Sequence, residues 1–267
     1  MLQPVSVPLN ILRYENDGLN QVEDSIVTEA PITIMLNQEE FATMVCSPEY
    51  IEELVIGFLA SEGVIETFAD ITDLFIDETT GYAHVTAKKV NVYNQKFHSK
   101  RYITSCCGKS RQSFYFYNDA RTVKKLNNEG PMISSSDCFR FMQLMQQSAS
   151  LFKDTGGVHN AALCDKDGIV ISRMDIGRHN ALDKLYGYCL MHSIPVDDKI
   201  MVFSGRISSE VLLKVAKIGC HIVLSKSAPT ELALRLANEL GITTVGFIRN
   251  ESFNVYTRPE RIGVSCK

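Results

Sequence analysis

Hydrophobic and polar residues alternate over residues 32–45 and 70–92, as they do in β-strands with one buried face. Each stretch contains a pair of strand-like runs around a polar turn: PITIML and FATMVC flank NQEE, and DLFID and YAHVTA flank ETTG. Between the two stretches, apolar side chains recur at helical spacing at Ile51, Leu54, Val55, Phe58 and Leu59. The pattern predicts an antiparallel sheet covered by one helix over residues 48–62, with Ser47 as its cap, Pro48 at its first position and Gly63 as its stop.

From residue 156 onward, strand-like runs alternate with helical ones. ALCD and GIVIS form a predicted hairpin around DKDG, and the strands KIMVFS, HIVLS, TTVGFI and NVYT follow, with helices predicted over residues 180–192, 208–217 and 229–240. Short links between alternating strands and helices favour a largely parallel sheet with helices on its faces. The polar loop at residues 127–131 predicts a boundary between a smaller α+β domain, residues 1–130, and an α/β domain, residues 131–267, which opens with a helix capped at Ser136 and Asp137.

Composition narrows the class of protein. Apolar residues make up 45% of the 267, enough for a buried core, and the net charge of −4 argues against nucleic-acid binding along the whole chain. No apolar run approaches the ~18–20 residues that span a bilayer, and the first residues lack the layout of a secretory signal. We therefore expect a cytoplasmic protein with neither a membrane nor a nucleic acid as its partner.

The eight cysteines are expected to be reduced thiols, because nothing in the sequence marks export. Six of them are isolated, several within apolar runs, and free cysteine behaves as a small buried hydrophobe. We expect these six to pack in the core: Cys46, Cys138, Cys164, Cys189, Cys220 and Cys266.

Cys106 and Cys107 differ from the other six, because they lie in the polar and cationic segment TSCCGKS. The reactive form of cysteine is the thiolate, which nearby cations such as Lys109 and Arg111 favour. Gly108 permits a tight turn or the close approach of a bulky substrate, and adjacent cysteines form no relaxed disulfide with each other. The two thiols are therefore the candidate catalytic residues. Their spacing leaves redox chemistry, metal capture and sulfur transfer open.

Polar clusters at the ends of predicted strands form a second candidate site, in residues 155–160, 175–180, 204–209 and 225–230. Ligands of open α/β sheets collect beyond the carboxyl ends of the strands, and helix N-termini suit phosphates. We expect an anionic ligand there, with Lys226 adding charge, bound by His159, Arg178, His179, Ser204, Arg206 and Ser225. No metal ligands are expected, because the His-x-Glu and Pro-Cys-x-x-Cys patterns of zinc deaminases do not occur.

Long motifs in the same order resemble the FdhD family, the sulfur carrier needed to make active formate dehydrogenase. They cover roughly residues 31–262 and are ELVIGFLASEGVI, TSCCGKS, TGGVHNAAL, DIGRHNALDKLYG, SGRISSEVLLKVAKIGC, SKSAPTELALRLANELGITTVGFIR and FNVYTRPERI.

The resemblance implies a function and a fold. Members accept sulfur from a cysteine desulfurase as a cysteine persulfide, and they pass it to the molybdenum of a bis-guanine-dinucleotide cofactor before that cofactor enters the formate dehydrogenase apoenzyme. The larger domain is similar to a three-layer cytidine-deaminase-type domain without its zinc, and the resemblance also implies a homodimer. The family's cofactor-contacting segment corresponds here to Phe247, Ile248, Arg249, Asn250, Glu251 and Ser252.

The thiol segment departs from the family pattern. Many members carry Cys-x-x-Cys-Gly, whereas this chain has Thr104-Ser105-Cys106-Cys107-Gly108. With the glycine in register, Cys107 matches the second family cysteine; with a loop two residues shorter, Cys106 matches the first. We favour Cys107 as the persulfide carrier because of its Gly-Lys flank. Two other functions stay open: a thiol–disulfide oxidoreductase, which normally uses a Cys-x-x-Cys pair, and a chaperone that holds the cofactor without transferring sulfur.

Overall fold

The computed structural model describes residues 4–88, 101–103, 123, 125, 126 and 129–263, with the backbone alone for 101–103. The first described element is a hairpin that the sequence analysis did not predict. Its strands are β1 (Ser6–Glu15) and β2 (Gly18–Val27). Asn16 and Asp17 join them, both with positive φ, which is the conformation that a two-residue turn between twisted strands requires.

A five-stranded sheet follows, in the order β5-β6-β3-β4-β7. Its strands are β3 (Ala30–Leu36), β4 (Glu39–Cys46), β5 (Ile71–Asp77), β6 (Tyr82–Ala87) and β7 (Arg101–Ile103). The predicted pairs β3–β4 and β5–β6 are antiparallel, but β3–β6 and β4–β7 are parallel. The prediction of an antiparallel sheet was therefore wrong where the two hairpins join, at β3–β6, and the strand β7 was not predicted. The hairpins are local, whereas the way they join depends on a crossover that sequence pattern does not show.

Helix α1 (Ile51–Ser61) covers this sheet and buries Leu54, Val55 and Leu59 against it. It begins three residues later than predicted. Tyr50 precedes it in the left-handed conformation, with φ of 55°, and provides no side-chain cap. Ser47 is not the cap either, because its hydroxyl donates to Asp175 in the second half of the chain.

A six-stranded sheet forms the larger half, in the order β10-β9-β11-β12-β13-β14. Its strands are β9 (His159–Asp165), β10 (Gly168–Asp175), β11 (Ile200–Phe203), β12 (Ile222–Ser225), β13 (Thr243–Arg249) and β14 (Ser252–Thr257). Only β11–β12 and β12–β13 are parallel. The expected largely parallel sheet is thus mixed, because a hairpin with a short turn closes each side of it and such a hairpin must be antiparallel.

Helices cover both faces of this sheet and give three layers. They are α2 (Ser135–Ser148), α3 (Ser150–Thr155), α4 (Arg178–Met191), α5 (Ser209–Ile218) and α6 (Glu231–Leu240). Met201 and Phe203 of β11 pack against α4, α5 and α6, while Ile200 and Val202 face α2. The alternation is the strand period of two, so both faces of a central strand are apolar.

Smaller elements complete the described chain. Strands β8 (Ile133–Ser134) and β15 (Ile262–Gly263) pair in parallel, and two 3₁₀ turns span Phe68–Asp70 and Pro259–Arg261. Ser134 caps α2 in a capping box with Asp137, two residues earlier than predicted. Among the described residues no helix is long and apolar enough to cross a bilayer. The division into domains at residues 130 and 131 stays a prediction, as does the likeness to cytidine deaminase.

Candidate functional site

A cavity of about 560 Å³ lies at one edge of the six-stranded sheet. Three strands meet there: β11 ends before Ser204, β12 ends before Lys226, and β9, which runs antiparallel to β11, begins at His159. All three residues line the cavity. This edge is where open α/β sheets bind ligands, so the structure brings together His159, Ser204 and Lys226 as the sequence analysis predicted.

The opposite wall comes from residues that the sequence analysis did not single out. Met145, Ala149 and Phe152, from α2, the link that follows it and α3, supply apolar surface, and Lys153 adds a second cation beside Lys226. Phe152 is 49% exposed, so part of its ring is open to the cavity and to solvent. No sequence signal marks this wall, because its residues read as an ordinary amphipathic helix. The cavity combines an apolar face with cations, as a ring-bearing anion would require.

His159 is half-buried in the cavity wall. Burial lowers the pKa of its imidazole, the neighbouring charge of Arg178 lowers it further, and Asp175, directly opposite in the β9–β10 register, opposes both. The imidazole is therefore neutral at pH 7 and can donate one hydrogen bond and accept another. His159 thus offers hydrogen-bonding groups in the unbound protein, and it acquires a positive charge only where a bound anion raises its pKa.

Asn160 and Ser204 hold the polar side of the cavity in place. The Ser204 hydroxyl accepts a hydrogen bond of 2.8 Å from the backbone N–H of Asn160, and the Ser204 N–H donates to the Asn160 carbonyl. The Asn160 side chain donates to the Met145 carbonyl and accepts from Ser172. Because Asn160 is buried and held on both sides, the wall is preformed.

Arg178 and His179 are the first two residues of α4. Gly177 precedes them and offers no side-chain cap, but its N–H donates to Asp175 at 2.8 Å. His179 lies 3.4 Å from the Glu210 carboxylate of α5. Neither residue is among the described residues that line the cavity, so their role in binding a ligand stays a prediction.

Arg206 and Ser225 lie at the same edge in different surroundings. Arg206 is exposed, two residues before Ser208 caps α5. Ser225 is fully buried: its hydroxyl donates to the Gly205 carbonyl and accepts from the Ser227 N–H. These bonds tie the two turns that follow β11 and β12 together, which is a role in shaping the edge.

The predicted cofactor-contacting segment, residues 247–252, runs from the end of β13 to the start of β14. It lies at the same edge, because β13 is parallel to β12. The Phe247 N–H donates to the Ser227 carbonyl, and its ring is 38% exposed. Phe247 and Asn250 have positive φ, so this turn holds a strained, defined shape. It lies beside the cavity without forming its lining.

Five of the cysteines are described, and all five are buried free thiols: Cys46, Cys138, Cys164, Cys189 and Cys220. Burial raises the pKa of Cys46, Cys138 and Cys164 to about 12 and that of Cys189 to about 11, and it raises that of Cys220 still further. Core packing is confirmed for these five. Cys106 and Cys107, with Lys109 and Arg111, lie outside the described residues, as does Cys266. The described residues hold no cluster of metal-ligating side chains.

Comparison with known proteins decides the family. The model of the FdhD/NarQ family matches residues 27–263. The chain belongs to this family. It is 56% identical over 262 residues to the sulfur carrier protein FdhD of Bacillus subtilis strain 168, covering 98% of this chain and 99% of that protein. It is 53% identical over 252 residues to the protein of the same name from Listeria monocytogenes serovar 1/2a, covering 94% and 97%.

The fold agrees with a solved structure of the same kind. The crystal structure of a putative formate dehydrogenase accessory protein from Desulfotalea psychrophila superposes with a TM-score of 0.81 at 25% identity, covering 97% of this chain and all of that one. The mixed α/β class is thereby confirmed for the FdhD/NarQ chain described here.

Proposed function

We propose that this protein carries sulfur as a cysteine persulfide from a cysteine desulfurase to a molybdenum cofactor in its bis-guanine-dinucleotide form, before a formate dehydrogenase apoenzyme receives it. The observation that carries the proposal is the identity of 56% over nearly the whole of both chains with a protein named as a sulfur carrier. The buried cysteines support it, because their raised pKa values disqualify five of the eight thiols as carriers. Of the three thiols that remain, Cys106 and Cys107 are adjacent to each other, and Cys266 is isolated.

The transfer follows the chemistry of thiol–disulfide exchange. The thiolate of Cys107 attacks the outer sulfur of the donor's persulfide, the donor's S–S bond breaks, and the donor cysteine leaves as a thiolate. A new S–S bond then holds the sulfur on Cys107, in the same oxidation state. Cys106 is the alternative carrier, and Lys109 or Arg111 favours the thiolate.

The cavity is the proposed place for a portion of the acceptor. A guanine dinucleotide combines a planar ring with phosphates, and the cavity combines the exposed ring of Phe152 with Lys153 and Lys226. His159 and Ser204 provide hydrogen-bonding groups on a wall that is already ordered. Arg178, His179, Arg206 and the segment 247–252 surround the same edge and are proposed to contact the portions of the cofactor that extend beyond the cavity.

Mass spectrometry of the intact protein tests the carrier function. The protein is incubated with a cysteine desulfurase and cysteine, and a gain of one sulfur atom is expected. Cys107→Ala is expected to abolish the gain, and Cys106→Ala to retain it. The reverse pattern would assign the sulfur to Cys106. No gain in the unaltered protein would contradict the carrier and leave the cofactor-holding chaperone.

A GDP titration tests the ligand site. Lys226→Ala, Arg178→Ala and Arg206→Ala are expected to weaken GDP binding, because each removes a positive charge at the cavity edge. Lys88→Ala is the matched control, since Lys88 is exposed at the end of β6 in the other sheet. Binding that is unchanged in all three variants would contradict this placement. The family resemblance also implies a homodimer. Sedimentation analysis tests this, and a species of twice the mass of one chain is expected.

A further inference from the structure

A lysine–aspartate pair is completely buried between the two halves of the chain. The Lys184 ammonium lies 2.7 Å from the Asp175 carboxylate, and both side chains are 0% exposed. Neither residue lines the cavity. Burying two charges costs several kcal/mol per ion, and packed apolar side chains often stabilise such a position at least as well. The pair therefore calls for a role beyond stability.

Asp175, the last residue of β10, connects that strand to the end of β4 and to the beginning of α4. One carboxylate oxygen accepts hydrogen bonds from the N–H and the hydroxyl of Ser47, at 3.1 and 3.0 Å. The other accepts from the Gly177 N–H at 2.8 Å and from the Asn180 amide at 2.9 Å. The same Asn180 amide group also donates to the Val45 carbonyl. The end of β4 and the beginning of α4 are thus joined through one carboxylate.

Lys184 completes the connection from the other side. It donates to the carbonyl and the hydroxyl of Ser47 and to the Met174 carbonyl, at 3.2 to 3.3 Å. The N–H, hydroxyl and carbonyl of Ser47 all contact the pair. A shift of Ser47 would break its hydrogen bonds to both buried charges, so these contacts fix the position of Ser47.

The two ends of this network lead to the two candidate sites. Ser47 directly follows β4, whose Met44 pairs with Ile103, the last residue of β7. Ile103 is three residues before Cys106 in the sequence. At the other end, Gly177 precedes Arg178, and Asp175 is paired with His159 of the cavity wall.

We propose that Asp175 and Lys184 are positioning residues for sulfur delivery. They hold the end of β4 in a fixed relation to His159 and the start of α4. The strand β7 pairs with β4, and the chain continues from β7 into the thiol segment. The inference rests on the proposed function and adds to it: the pair serves the handover of sulfur to the acceptor, and it serves neither the loading of the thiol nor the binding of the nucleotide.

The test is the double variant Asp175→Asn with Lys184→Met, which removes both charges and leaves neither unpaired. Persulfide loading by a cysteine desulfurase, release of the sulfur to cyanide as thiocyanate, and the Kd for GDP are expected to stay within about twofold of the parent. Delivery, measured as formate dehydrogenase activity in a strain lacking its own copy of the protein, is expected to fall about ten- to hundredfold, because an ångström of misplacement costs about that much. Protein recovered from those cells is expected to carry persulfide in a larger fraction than the parent does.

A matched control is the double variant Asp183→Asn with Lys214→Met. This pair is also nearly buried: the Asp183 and Lys214 side chains are 2% and 12% exposed. Asp183 lies on α4, as Lys184 does, but it accepts from Ser61 at the far end of α1. Sulfur delivery by this control variant is expected to stay close to that of the parent. Ser47→Ala is a milder variant, which keeps both charges and removes one hydroxyl. It is expected to impair delivery in the same direction, by less.

Two results would overturn the inference: normal delivery by the Asp175→Asn, Lys184→Met protein, or a parallel loss of loading and delivery, which marks a purely structural role. Failure of the unaltered protein to load sulfur would instead remove the proposed function, and the positioning role with it. The two failures are therefore distinguishable.

Discussion

Gly57 of α1 and Gly187 of α4 lie where their helices cross backbone against backbone. A Cβ atom added to Gly57 would overlap the Asp183 carbonyl, and one added to Gly187 would overlap the Glu53 carbonyl. The contact is reciprocal, so each helix needs a glycine opposite the other's backbone. This close approach lets the short side chains of Ser47 and Ser61 reach Asp175 and Asp183.

Gly57→Ala is expected to destabilise the protein by about 1–3 kcal/mol or more, the usual cost of overpacking. The higher helix propensity of alanine offsets about 1 kcal/mol of this, but the overlapping atoms are backbone and cannot move aside. Urea denaturation measures the change. Gly18→Ala is the control, since nothing lies closer than 3.9 Å to the added Cβ. Equal stability of the two variants would contradict the close crossing.

Glu53→Gln is expected to cost about 3 kcal/mol of folding free energy, because it leaves the buried Arg173 charge without its partner. The guanidinium donates twice to Glu53, at 2.6 and 2.7 Å, and lies over the Tyr50 ring. Glu231→Gln, in the exposed pair with Arg235, is expected to cost under about 0.5 kcal/mol. Denaturant titration of both variants makes the comparison, and similar losses would refute it.

Alkylation by iodoacetamide at pH 8 is expected to leave the five buried cysteines unmodified in the folded protein and to modify Cys106 and Cys107. With pKa values of about 11 to 12 for Cys46, Cys138, Cys164 and Cys189, under about one thiol in a thousand is ionised at that pH. Peptide mass spectrometry identifies the sites, and the denatured protein, alkylated at all eight, is the control. Modification of Cys46 at the rate of Cys107 would count against the carrier assignment.

GDP is expected to bind more tightly as the pH falls from 8 towards 6. In the free protein, burial and Arg178 hold the pKa of His159 below its ordinary value. A bound phosphate would favour the imidazolium and raise that pKa, so binding takes up a proton and strengthens in acid. Calorimetry at several pH values measures this. His159→Gln is expected to flatten the dependence of GDP affinity on pH. The control His192→Gln, at the other end of α4, is expected to leave that dependence unchanged. A GDP affinity that does not change with pH in the parent would place the phosphates away from His159.

Local patterns predicted most of the elements around the cavity. The hairpin around DKDG and the helices ending at Gly219 and Gly241 agree with the structure to within a few residues, because turns and helix stops depend on neighbouring residues. His159, Ser204 and Lys226 were predicted to share a sheet edge, because each lies next to the end of a predicted strand. Phe152 and Lys153 were missed, because whether a helix face lines a cavity depends on what lies opposite it in the folded chain.

The sequence by itself determined the family, the mixed α/β class, the two adjacent thiols and the polar strand ends, all of which depend on residue identity and short-range order. Only the tertiary structure decided how the strands pair, because hydrogen bonding between distant strands leaves no local pattern. It also decided that Ser47, which reads as a helix cap, belongs to a buried charge network with Asp175 and Lys184. Those residues are about 130 positions apart in the chain, so no local pattern shows their contact.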